Sequence, residues 1–506
     1  MTIAGDTSGV TPPPLASTRV AVLLIIAVAV ATRIVSWWNP VAHPDDQFYL
    51  LAGEQLLAGH WPYVDVWDRK PLGLFLIYAG VASLGGGILM LNLVATAFAA
   101  ATALVIRQMA LRFAGPVGAT MCALAYLLVI PLIGGMNGQS PVFYNLLMAV
   151  AAWLLIDAAQ AGQVRSIVQR ALLAMLLCGV AITVKQVAFV EGGFFGLAFL
   201  WLLWRRDMPL VRLALTGTAM VVIALLPTAL TIGGYAIAGR AALDTYIQAS
   251  FVSIFEKGGW GATAKLAGLA FFFLHVTPLL VMAILGAWDR RRARQGDVRD
   301  LLLIGWCIAA LLGYLSVPNF FDHYALPVIA PLCISAATFF GRASGRLWFA
   351  TLALVCLILG PSLRFESNRR ALADYARLEA IVDGARRGGC LYLADGPTRL
   401  YSDTGACRLT RYAFPDHLNL STEAGAVGVD TRVELSRVLV AAPAVILTQD
   451  RERKKHNPAT DRILYPWLVA HYRQVYRVPD DSSRYLQGVR VWQRLDLETV
   501  DAINAG

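Results

Sequence analysis

Apolar runs of about twenty residues recur through the first 360 positions of this 506-residue chain, beginning with "VAVLLIIAVAVATRIVSWW". A helix of that length matches the roughly 30 Å hydrocarbon core of a bilayer, so each run is a candidate span. Charged residues make up only 15% of the chain, against about 25% in soluble domains. The fold class read from this is a polytopic α-helical membrane protein. The first run is too long for a signal-peptide core and has no small-residue cleavage site, so it reads as a retained span. Residues 1–17 before it are rich in Pro, Thr and Ser and read as disordered.

The runs and the gaps between them give about eleven transmembrane helices, at 18–38, 87–107, 113–132, 141–158, 171–188, 190–204, 212–236, 266–287, 300–316, 325–341 and 346–362. The formal charge of +10 raises the question of a nucleic-acid partner, but its placement argues against one. Arg107, Arg112, Arg165, Arg170, Arg205, Arg206 and the run "DRRRARQGDVRD" all fall in short gaps, and the positive-inside rule explains them. With the N-terminus cytoplasmic, the other gaps face out: 39–86, 133–140, a turn near Glu191, 237–265, 317–324 and everything after 362. "KPLGLFLIYAGVASLGGG" has the composition of a re-entrant helix. Residues 18–362 thus read as a membrane module, and no internal repeat of fixed period is visible.

Residues 363–506 differ. "RRALADYARLEAIVDGARR" and "DRILYPWLVAHY" have helical periodicity, whereas "CLYLAD", "AVILTQD", "YRQVYRVP" and "GVRVWQRLD" read as strands. This predicts a soluble α/β domain of about 140 residues, large enough for its own core. Five of seven cysteines lie in apolar runs, where free cysteine is a small hydrophobe. Cys390 and Cys407 lie in the outer domain and leave a disulfide between them open. No Cys/His cluster has zinc spacing.

The first outer gap, 39–86, is too polar for a span and too aromatic for a plain connector. Asp45 and Asp46 are adjacent; Asp65, Asp68, Arg69 and Lys70 follow. Cations there can neutralise a phosphate, and a carboxylate can take a proton from a hydroxyl. "EQLLAGHWPY" reads as an amphipathic helix lying in the interface; the bland alternative for the whole gap is a solvated loop anchored by aromatics. Further polar groups fall on the same side: Asp322, His323 and Tyr324 in "NFFDHYALP", Lys185, Gln186 and Glu191 near the end of the fifth span, Arg33, and Asn137, Gln139 and Asn145. Lys185 either serves a site, snorkels or pairs with Glu191. His275, mid-span, reads as an interhelical hydrogen-bonding residue.

"DDQFY" followed by "GHWPYVDVWDRKPLG" resembles the first external loop of the GT-C glycosyltransferases, within them the bacterial family-39-like enzymes related to protein O-mannosyltransferases and the lipid A aminoarabinose transferase. The matching residues are Asp45-Asp46, Tyr49 at the fifth position, Gly59-His60-Trp61-Pro62-Tyr63 and Lys70-Pro71-Leu72. "FFDHYALPVIAP" and "VKQVAF" are similar to later family elements. The resemblance implies an inverting transfer of a sugar from a polyprenyl-phosphate donor to an envelope acceptor (lipid A or lipopolysaccharide, another glycolipid, or protein) at the periplasmic face of a bacterial inner membrane. It implies Asp45 as general base, supported by Asp46; Lys70, with Arg69, Lys185 and His323, at the donor phosphate; and Tyr49, Tyr63, Asp68, Gln139 and Tyr324 about the substrate. A divalent metal (Mg, Mn or Zn), with Asp46 as a ligand, is left open. The chain departs from the pattern at Phe48, Arg69 and Gly73, and Arg69 stands where a zinc-binding glutamate is found in the aminoarabinose transferase. Two other functions are compatible with the composition. One is a flippase or transporter of lipid-linked sugars, which favours midplane charges and repeat symmetry that are not evident here. The other is a polysaccharide ligase or polymerase.

Overall fold

The computed structural model describes residues 17–293, 297–317, 319–450 and 456–497; residues 1–16 of the predicted disordered segment lie outside these. The first span is α1 (Thr18–Ala31), extended by a 3₁₀ turn to Ser36. The first outer loop contains α2 (Pro44–Leu57) and α3 (Leu72–Ser83). Six helices follow: α4 (Gly87–Ala110), α5 (Pro116–Leu132), α6 (Ser140–Ala158), α7 (Val164–Val184), α8 (Ala188–Trp204) and α9 (Leu210–Ala238). A second outer segment holds α10 (Arg240–Ile247), a π-helical turn Gln248–Val252 and α11 (Ser253–Glu256). The helices α12 (Ala262–Arg292), α13 (Val298–Leu315), α14 (Leu326–Phe340) and α15 (Ala343–Leu359) complete the membrane region. Among the described residues, eight helices are long and apolar enough to span. The 17-residue helices α5, α8 and α15 coincide with the remaining predicted spans, and 17 residues is the lower end of the spanning range. At 12 residues α3 is too short to cross.

Packing sorts these helices by depth. The span ending in α14 is central, 89% buried against α5 and α12, whereas α9 is peripheral, with 6% of its apolar window buried. At one end of the bundle the arginine-rich gaps are tied by ion pairs: Arg112 to Asp157 at 2.8 Å, Arg342 to Asp289 at 2.7 Å, and buried Arg290 to Asp300 at 2.5 Å.

The C-terminal region begins with α16 (Phe365–Arg386) and runs through β1 (Leu391–Leu393), α17 (Leu400–Asp403), α18 (Asp416–Asn419), α19 (Thr431–Val440), β2 (Val445–Gln449), α20 (Pro458–His471), β3 (Tyr472–Arg477) and β4 (Val489–Arg494). All four predicted strands and both predicted helices are present. They form one sheet of order β1-β2-β4-β3, with β1 and β2 parallel and the other pairs antiparallel. A disulfide joins Cys390 to Cys407, beside β1.

The local chemistry of α2 positions the site. His43 is its N-cap and accepts the Asp45 amide at 3.2 Å; Pro44 takes the first helical position, and two acids occupy the first turn. The helix stops at Leu57, and the interfacial helix expected through "GHWPY" is not formed. Gly59, at φ +89°, allows the left-handed stop: its N–H reaches Leu56 O and that of His60 reaches Gln55 O, the double bond of a Schellman cap. "WPYVDV" is instead a turn, held by the Asp65 N–H on Trp61 O at 2.9 Å and the Tyr63 N–H on Val66 O at 2.7 Å. Helix α2 also crosses α3 at backbone contact: a Cβ on Gly53 would lie 2.5 Å from the Tyr78 carbonyl carbon. That crossing brings Tyr78 beneath the two aspartates.

Candidate active site

Asp45 and Asp46 are neighbours on α2 with opposite surroundings. Asp46 is 2% exposed and engaged at both oxygens: Gln139 Nε2 lies 3.2 Å and Tyr78 Oη 3.3 Å from Oδ1, and the Gly138 N–H is 3.2 Å from Oδ2. Tyr78 has one proton, and its shorter bond, 2.7 Å, donates to Gly138 O. Its Oη is thereby free to accept a proton from a neutral Asp46. Burial and the adjacent Asp45 push Asp46 up to about 8, overcoming the Gly138 and Gln139 N–H donors that favour the carboxylate. Asp45 is half-buried, and its carboxylate has no hydrogen-bond partner among the described residues. Burial works to raise it, but His43, Lys70 and His323 together hold it below the usual carboxylate value. One acid is therefore kept ionised and open, the other closed and protonated.

This arrangement predicts a pH effect on stability. The folded chain holds the Asp46 proton to about 8, whereas the ordinary value is 3.8. The stabilisation is thus complete below 3.8 and is lost as pH rises through about 8. Asp46→Asn should flatten the fall in melting temperature between pH 5 and 8; equal slopes in variant and parent would refute the assignment.

Around Asp45 the chain gathers its cations and rings. Lys70 leaves the loop just before α3, its N–H on Asp68 Oδ1 at 2.8 Å and its Nζ 5.5 Å from the Tyr49 ring centre. Lys185, in the turn between α7 and α8, lies 4.6 Å over the Tyr324 ring and within electrostatic reach of Asp45, Asp68 and Lys70. It does not pair with Glu191, which is buried one turn into α8 and accepts the Trp306 indole N–H at 2.7 Å. His43 receives the Gln139 amide at 2.7 Å on the same Nδ1 that caps α2, which assigns its proton to Nε2. The His323 ring stands edge-on to it at 5.9 Å and is itself oriented by Asp322, 3.2 Å from Nδ1.

Several predicted residues sit behind this cluster. Tyr63 is fully buried at φ 68°, a left-handed conformation costing about 1–2 kcal/mol, and donates its hydroxyl to Lys70 O at 2.8 Å. It is a brace for the lysine. Asp68 is buried against His417 Nε2 at 3.4 Å, and the neighbouring Lys70 and His417 hold it well below the usual range against the effect of burial. Arg69 is turned away from Lys70 into a bidentate pair with Glu423. Asn137 bonds Asn92 and Ser36, Asn145 contacts Tyr126, and buried Arg33 donates to Gly135 O: these hold helices together away from Asp45. His275 bonds back to Phe271 O at 2.8 Å within its own helix.

The C-terminal region grips the same loop. Arg399 pairs with Glu54 at 2.5 Å, Arg408 reaches Gln55, the Trp67 N–H binds Arg411 O, and Phe48 packs on Phe414 and His417. Tyr485, between β3 and β4, approaches the His43 ring at 6.1 Å. Sequence reasoning missed His417, Glu423, Tyr485 and Lys257.

A metal does not fit this donor set. Among the described residues no three His, Cys, Asp or Glu side chains converge as ligands. Asp46 has both oxygens engaged, and Asp45 is within electrostatic reach of Lys70 and Lys185.

The sequence matches no family model and no curated protein. The structure is similar to ArnT from Cupriavidus metallidurans bound to undecaprenyl phosphate, with TM-score 0.65 and 15% identity over 95% of this chain and 99% of that one. It is similar to the apo state of that protein (TM-score 0.62, 15% identity, 94% and 98% covered). The apo form of the Archaeoglobus fulgidus oligosaccharyltransferase gives TM-score 0.51 at 10% identity, over 95% of this chain and 80% of that one. The chain has the GT-C fold. The resemblance carried by the first outer loop is borne out at that level, and in this GT-C chain the loop lies between the membrane helices and the C-terminal sheet.

Proposed function

We propose that this protein is a membrane glycosyltransferase that moves a sugar from a polyprenyl-phosphate donor to a hydroxyl of an envelope acceptor at the periplasmic face, with inversion. The observation that carries the reading is the Asp45 carboxylate, held ionised and without a hydrogen-bond partner among the described residues, within electrostatic reach of Lys70 and Lys185. Asp45 takes the acceptor proton as the acceptor oxygen bonds to the anomeric carbon. The bond from that carbon to the phosphate oxygen breaks, and its electron pair leaves on polyprenyl phosphate. Lys70 and Lys185 neutralise that leaving phosphate, and His43 and His323 lie within electrostatic reach of Asp45. Protonated Asp46 adds no charge that would compete for the lysines. The similar ArnT structure bound to undecaprenyl phosphate, and an Archaeoglobus oligosaccharyltransferase in complex with an inhibitory peptide and a dolichol-phosphate (TM-score 0.52, 9% identity, 95% of this chain and 80% of that one), support a lipid-phosphate donor. The acceptor, on this reading, is a glycolipid, lipopolysaccharide or protein hydroxyl.

The test is incubation of purified protein with a radiolabelled polyprenyl-phosphate sugar and an envelope extract. Free polyprenyl phosphate should accumulate as label passes to the extract. A donor moved between leaflets but left intact would replace this reading with transport.

A further inference from the structure

Glu423 is a carboxylate of the C-terminal region placed among the cations of the membrane-side loops. It lies on the turn after α18 and is 2% exposed. Both of its oxygens are held by cations from segments far apart in sequence: Arg69 of the first outer loop in a bidentate pair, and Lys257 of the second outer segment at 2.7 Å. The Lys257 segment is pinned to the same turn by the Gly258 N–H on Thr422 O at 2.8 Å and by Gln248 on Ala426 O at 3.3 Å. Beside the pinned stretch the chain forms its π-helical turn, Gln248–Val252, a distortion that recurs at functional sites.

Charge shows what the carboxylate replaces. Arg69 precedes Lys70 directly, and Lys257 is within electrostatic reach of Lys70 and Lys185. Four basic side chains, Arg69, Lys70, Lys185 and Lys257, thus lie within electrostatic reach of three carboxylates held ionised, Asp45, Asp68 and Glu423. A fork and an ammonium closing on two oxygens is the geometry that also binds a phosphate: the two non-bridging oxygens of the donor's phosphodiester match the carboxylate, and the monoester left after transfer offers a third oxygen and more charge. We propose that Arg69 and Lys257 form a second phosphate subsite beside Lys70 and Lys185, and that Glu423 occupies it as an internal anion until the phosphate of the lipid donor displaces it. The C-terminal region then releases the Lys257 segment when the donor is bound and recaptures it when polyprenyl phosphate leaves. The inference rests on the donor-phosphate reading above and adds to it a competitor built into the chain.

Competition of this kind is reciprocal: what Glu423 stabilises without lipid it subtracts from lipid affinity. Glu423→Gln should melt several degrees lower without lipid, because two buried cations lose their anion. It should bind undecaprenyl phosphate in detergent micelles about tenfold tighter, and lipid should raise its melting temperature more than that of the parent. Lys257→Met should bind the lipid about tenfold more weakly and cancel the gain in the double variant. Inorganic phosphate titrated into Glu423→Gln separates a headgroup effect, which it reproduces in part, from one that needs the polyprenyl chain. Unchanged or weaker lipid binding by Glu423→Gln overturns the proposal. If that variant does not fold, unchanged binding by Lys257→Met overturns it as well. Failure of every form, the parent included, to bind the lipid refutes the donor reading itself.

Discussion

Asp45→Asn should lose sugar transfer by about 10²- to 10⁴-fold, the usual worth of a general base, with expression, melting temperature and undecaprenyl phosphate binding retained. The amide keeps the shape of the carboxylate, and no hydrogen bond of the described structure ends on the Asp45 oxygens, so the fold loses only the attraction of His43, Lys70 and His323 for the charge. The neighbouring position provides the contrast. Asp46→Asn keeps a neutral side chain where the parent already holds a proton to about 8, and should retain most transfer at neutral pH. Initial rates with radiolabelled donor at saturating concentrations decide the matter. Near-normal rates for Asp45→Asn, or equal losses at both positions, would exclude Asp45 as the base and return the pair to a structural role at the start of α2.

The sequence carried much of this site because its chemistry is local in the chain. Asp45, Asp46, Tyr49, Tyr63, Asp68 and Lys70 all lie in one outer gap whose polarity contradicts its neighbours, and the arginine gaps fixed which segments share a side. The spans were legible for the same reason: length and apolarity are properties of single segments. What stayed hidden depends on segments meeting. Glu423 and His417 lie in stretches whose periodicity describes an ordinary soluble domain, and nothing in "DHLNLSTEAG" marks it as a surface that closes on a membrane loop. Lys257 lies in "FEKGGW", within the outer gap 237–265, where no neighbouring residue in the sequence marks it as a partner for Glu423. The end of α2 was misread because the aromatic residues of "GHWPY" outweighed Gly59, the residue that decides the local backbone. Tyr63 matched a family position but is used here from behind, its hydroxyl on the Lys70 carbonyl. Such a bond involves the backbone of its partner, and no spacing rule reports it.

Lys70→Met should raise the donor concentration needed for half-maximal rate, and lower the rate at saturation, for a combined loss of about 10- to 100-fold; a charge-assisted hydrogen bond contributes about 1.5–3 kcal/mol. Burial disfavours the ammonium, yet Asp68 and Asp45 more than offset it and hold Lys70 above its ordinary value, so the cation is present through the working pH range. The loss should fall on both parameters because phosphate charge is present in the bound donor and grows as the sugar bond breaks. Methionine keeps an unbranched stem of similar length while removing the ammonium that lies 5.5 Å from the Tyr49 ring centre, and the Tyr63 hydroxyl binds a carbonyl that the substitution leaves in place. Arginine should rescue only part of the loss: its planar fork is bulkier than the ammonium, and the position is closed below by Tyr49 and flanked by Asp68. Arg69 does not substitute while Glu423 holds it. Equal half-saturation and turnover for parent and Lys70→Met would remove Lys70 from the phosphate site and leave Lys185 as the cation that faces the leaving group.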